Sequence, residues 1–66
     1  KLGDTDNAIR DFNSAIEIND RYTSAYYELG KLYLSIDRKE EAKANLLKAA
    51  ELGNNKAQAI IEEEFS

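Results

Sequence analysis

A chain of 66 residues with no cysteine, histidine or methionine can form one small domain, and it excludes disulfides and thiolate or imidazole metal sites. A net charge of −4, with nine scattered basic residues, argues against a phosphate-backbone partner, which requires a basic stripe. No apolar run approaches the roughly 18 residues of a membrane span and no signal-peptide layout is present, so neither nucleic acid nor membrane is an expected partner.

The spacing predicts a first helix over Thr5–Ile18 with Asp4 as its N-cap. Ala8, Ile9, Phe12, Ala15 and Ile16 share one face, and Asp6–Arg10 is a favourable i,i+4 pair outside it. Asn19-Asp20 interrupts the period. A second helix follows over Thr23–Ser35, its apolar stripe formed by Ala25, Tyr26, Leu29, Leu32, Tyr33 and Ile36. Asp37, with Glu40 three residues on, has the spacing of a capping box for a third helix running to about Leu52. That helix should bury Ala42, Leu46, Ala49 and Ala50. Gly3 and Gly53 fall in expected breaks, and Gly53 can take the left-handed conformation that stops a helix. Asn54 or Asn55 then caps a fourth helix bearing Ala57, Ile60, Ile61 and Phe65. The connections are two to five residues long, so successive helices should lie antiparallel in an all-α fold.

Two regularities organise these helices. Ala8, Phe12 and Ala15 recur 34 positions later as Ala42, Leu46 and Ala49, a period typical of stacked helical repeats. Gly30 stands inside the second helix, where glycine costs about 1 kcal/mol against alanine. Close approach of a neighbouring helix would offset that cost, with Ala42 and Ala49 as the shallow facing surface and Tyr26, Tyr33 and Leu46 filling either side.

Tyr26, Leu29, Gly30, Tyr33, Ala42, Leu46 and Ala49 together resemble the signature of a tetratricopeptide repeat, with Tyr26 where tryptophan is commonest. Gly3 through Ala15 resemble the second helix of a preceding repeat. The resemblance implies a right-handed solenoid of antiparallel helix hairpins, about four helices in all. Residues 1–22 would be the second helix of one repeat, 23–56 a complete repeat and 57–66 a capping or partial helix. Asp20 and Asn54 take the two closing positions where proline is usual. The chain, entered partway through the pattern at Lys1, reads as a piece of a longer array. Residues 48–58 also resemble the junction of a Sel1-like repeat.

The fourth helix departs from the family pattern, because Glu63 and Glu64 replace its Leu-Gly. Burying two unpaired carboxylates is prohibitive, so Glu62, Glu63 and Glu64 should face water while Ala57, Ile60 and Ile61 dock on the third helix. Such a polar outer face suits the end of an array.

Tyr27 lies one residue off the core stripe, and Lys31, Leu34 and Ser35 follow it at i+4, i+7 and i+8, beside Ser24 and Glu28. By resemblance this is the face turned to the concave groove that holds a partner peptide. An open Tyr and Leu beside a Lys suit an apolar anchor with an acidic group. The plainer reading is that Tyr27 packs on Ile61 or Phe65. The family's clamp for chaperone carboxylates is not expected, since the matching positions hold Tyr27, Glu28 and Lys31 and no asparagine.

No catalytic constellation emerges. Ser14, Ser24 and Ser35 lie on polar helix faces. Neighbouring glutamates at 40–41 and 62–64 diverge by about 100° on a helix. Asp4-Thr-Asp6-Asn7 lacks the glycine and the closing acid of a calcium loop. The reading is a protein–protein interaction scaffold with no cofactor and no metal. Its alternative is an end-cap or self-associating part of an array, exposing Ile9, Phe12 and Ile16 at the first-helix edge.

Overall fold

The structure is a computed structural model that describes residues 2–65. Four helices follow one another: α1 (Leu2–Ile18), α2 (Thr23–Ser35), α3 (Lys39–Glu51) and α4 (Asn55–Phe65). No strand occurs among the described residues. α1 packs on α2, α2 on α3 and α3 on α4, as short connections between amphipathic helices require.

Gly30 is buried where α2 crosses α3, and a Cβ built there collides with Leu46 Cγ and Cδ2 and lies 3.4 Å from the Ala42 carbonyl oxygen. Close approach therefore explains the glycine. The facing side chain is Leu46, seated in the notch that the missing Cβ leaves, with Ala42 contributing backbone. Ala25, Leu29, Ala42, Leu46, Ala49 and Ala57 have no exposed surface. Tyr26, Leu32, Tyr33, Ile36 and Ala50, expected inside, are half-buried, Tyr26 and Ala50 packing against the cluster of Leu46, Ala49 and Ala57 while keeping an edge in solvent.

The helix ends show where local signals compete. Asp37, expected as the N-cap of α3, instead has φ 62° and closes α2. Its amide donates to the Leu34 carbonyl (3.1 Å) and the Arg38 amide to the Tyr33 carbonyl (2.9 Å), the paired bonds of a Schellman motif. α3 then starts at Lys39, with Arg38 at the cap position making no side-chain capping bond. Gly53 ends α3 by the same geometry, with φ 105°, its own amide on Ala50 (3.0 Å) and the Asn54 amide on Ala49 (2.9 Å). Asn54 caps α4, its Oδ1 accepting from the Ala57 amide at 3.0 Å.

α1 begins at Leu2, earlier than expected. Gly3 lies inside the helix rather than in a break, and Asp4 sits within the first turn rather than ahead of it, where its charge favours the helix dipole. The α1–α2 turn is held by side chains: Asn19 Oδ1 accepts from the Arg21 amide (3.1 Å), and the Tyr26 hydroxyl donates to the Asp20 carbonyl (3.0 Å). Tyrosine at the position where tryptophan is commonest thus braces a turn that lacks the usual proline.

Candidate functional site

The 3.6-residue period that turns Ala25, Leu29 and Gly30 inward leaves a second face of α2 carrying Ser24, Tyr27, Glu28, Lys31, Leu34 and Ser35. Ser24, Lys31 and Ser35 are exposed; Tyr27, Glu28 and Leu34 are half-buried. Tyr27 and Leu34 rest against the cluster of Leu46, Ala49 and Ala57, which Ile60, Ile61 and Phe65 of α4 also join. Packing against this cluster and partial access to solvent are therefore both properties of Tyr27.

Lys31 is already engaged by its neighbours. Its Nζ lies 5.0 Å from the Tyr27 ring centroid and 3.9 Å from Glu28 Oε1. At such exposure an ion pair contributes at most about 1 kcal/mol and a cation–π contact a similar amount. These contacts orient the ammonium group without sequestering it. The Ser35 hydroxyl donates to the Leu32 carbonyl at 2.6 Å, which satisfies it within its own helix.

Two cation–aromatic contacts were not foreseen. Lys43 of α3 lies 5.9 Å from the Phe65 ring centroid of α4, a pairing across helices with no local sequence signal. Arg38 lies 5.8 Å from the Tyr33 ring and pairs with Glu41 at i,i+3 (Nη2–Oε2 2.6 Å). Glu62, Glu63 and Glu64 are all exposed, as the fourth helix's departure from the pattern required.

Among the described residues no polar side chain is buried, no cavity is enclosed and no group of acids is arranged to hold a metal ion. No described helix is long and apolar enough to cross a membrane. What the fold offers is surface: helix faces held at fixed spacing by an apolar interior.

Stacked antiparallel helices with a glycine-notched crossing define a helical-repeat protein. The family model described as TPR repeat matches residues 1–37, and that described as Tetratricopeptide repeat matches residues 23–55. The chain belongs to the tetratricopeptide repeat family. Neither matching model is a Sel1-like one, so the likeness at residues 48–58 gains no support. No curated protein and no solved structure matches the chain. Repeats of this family are generally protein–protein interaction modules and typically non-catalytic scaffolds.

Proposed function

We propose that this chain holds a peptide or protein segment along the second face of α2, in the concave groove that a tetratricopeptide stack forms. Tyr27 and Leu34 would supply the apolar contact, Lys31 and Glu28 the charge selection, and Ser24 and Ser35 the rim. The observation that carries the reading is the state of Tyr27: a large ring braced from behind by the core yet open to solvent, with an ammonium group over it. A rigid aromatic of this kind loses little entropy when a partner covers it.

The test is selection of binding peptides from a random library, followed by titration of the best against the chain. Tyr27→Ala and Lys31→Glu should each weaken binding by about tenfold or more, roughly 1.4 kcal/mol. Selected peptides indifferent to both substitutions would overturn the assignment.

A structural reading rests on a separate observation. With Glu62, Glu63 and Glu64 exposed, α4 presents a polar outer face, as an end-cap of an array does. On this reading, the domain organisation is a second helix (1–22), one complete repeat (23–56) and a cap (57–66).

A further inference from the structure

The face of α2 read above as a groove continues onto α4. Tyr27 and Leu34 pack on the cluster of Leu46, Ala49 and Ala57, and so do Ile61 and Phe65. α2 and α4 each follow α3 or precede it by a short turn and pack on it, so they run in the same sense. Counted by the 34-residue period, Ile61 stands level with Tyr27, Glu62 with Glu28 and Phe65 with Lys31. Both aromatic rings of this surface have a lysine over them: Lys31 Nζ is 5.0 Å from the Tyr27 centroid and Lys43 Nζ 5.9 Å from that of Phe65. Lys43 is exposed and in no ion pair among the described residues. Glu62 is exposed as well; its Oε2 accepts from Gln58 Nε2 at 3.3 Å, and it too is in no ion pair. Glu28 holds Lys31 loosely, at 3.9 Å. The charges are thus sorted by level along the helices, with glutamates at 28 and 62 and the two lysines about one turn further on.

We propose that this surface takes an extended segment of a partner protein that crosses from α2 to α4 and alternates acidic with basic residues around an apolar anchor. The inference rests on the groove reading above and adds the charge pattern of the partner. Successive side chains of an extended chain point to opposite sides. Laid across the two helices, such a chain turns every second side chain toward the lysine level and the others toward the glutamate level. Its acids then meet Lys31 and Lys43, and its bases meet Glu28 and Glu62. A uniformly acidic segment would set half of its carboxylates against Glu28 and Glu62, and a uniformly basic one would set ammonium groups against the lysines. Both lysines are already held over rings, so pairing them immobilises little that was free. A second copy of this chain is a poor occupant, because its described residues are helical apart from short turns and offer no extended segment.

The probe is a peptide with blocked ends in which glutamate and lysine alternate on either side of a central leucine. At about eight residues it extends roughly 26 Å, enough to cross two helices of about 10 Å diameter each. Added to the intact chain, it should shift the amide resonances of Tyr27, Leu34 and Ile61. It should bind about tenfold or more tightly than a peptide of the same composition with its glutamates and lysines in separate blocks, and the margin should shrink at high salt. A chain carrying Glu28→Lys and Glu62→Lys should instead prefer an all-glutamate peptide. On the unaltered chain, equal binding of the alternating and blocked peptides, tighter binding of a uniformly charged one, or a margin indifferent to salt would overturn the charge pattern; shifts at Tyr27 would still uphold the groove. If library-selected peptides shift Tyr27 and the alternating peptide does not, the pattern alone falls; if neither does, both fall. Tyr27 resonances that move with the concentration of the chain alone would give the surface to a second copy and overturn the proposal.

Discussion

α1 and α3 carry the same small–large–small triad, yet they live in different environments. Ala42, Leu46 and Ala49 have no exposed surface; Ala8, Phe12 and Ala15 are each half-buried. The residue types match, so helix-forming tendency does not separate them. Neighbours do. Among the described residues α3 is packed between α2 and α4, while the main contacts of α1 are with α2. In a stack of this kind the contribution of a side chain depends on which helices flank it, because each unit touches only the next. The same triad should therefore contribute unequally to stability at its two places.

The crossing at Gly30 is where the difference can be broken most severely. Gly30→Leu forces a branched side chain into Leu46, and the Ala42 backbone behind it cannot move away cheaply. Overpacking of this kind costs about 3 kcal/mol or more, well beyond the roughly 1 kcal/mol gained in helix propensity. In a chain this small the cooperative thermal transition should collapse, and a circular-dichroism melt that did not change would refute close packing at that crossing. Truncation separates the two triads directly. Leu46→Ala should cost about 2–5 kcal/mol, as for a fully buried leucine. Phe12→Ala removes a larger side chain but should cost less, about 1–2 kcal/mol, because the ring is partly in water already. Denaturant midpoints that reversed this order would show that α1 is as firmly packed as α3.

These contrasts were legible in the sequence to different depths. The 34-residue period and the glycine amid Tyr26, Leu29 and Tyr33 disclosed the helix order and the tight crossing, since both depend on side-chain size at fixed spacing. Burial was less legible. Tyr33, Ile36 and Ala50 fit the helical stripe but sit at its margins, and period alone does not say how wide a neighbour is. The α2 face was visible as a register one step from the core. The spacing placed Lys31 on one face with Tyr27 and Glu28 but not its engagement with them, and the approach of Lys43 to Phe65 depends on how α3 and α4 cross. Asp4 and Asp37 misled because aspartate suits an N-cap, a first turn and a left-handed stop alike. Which role it takes is settled by the hydrogen bonds of the preceding chain.

The smallest expected effect compares the ends of α2 and α3, which close by the same pair of bonds but with different residues. Gly53 adopts its positive φ without a Cβ; Asp37 carries one at φ 62°. Aspartate tolerates this region better than most residues yet not freely, since its Cβ crowds the following carbonyl. Asp37→Gly should relieve that crowding, offset in part by the greater freedom of glycine in the unfolded chain. The expected outcome is a net gain below about 1 kcal/mol and a melting temperature higher by a few degrees. Asp37→Ala removes the aspartate side chain while keeping the Cβ, and should lose stability instead. If Asp37→Ala were as stable as Asp37→Gly, the left-handed stop at residue 37 would not be what sets the boundary between α2 and α3.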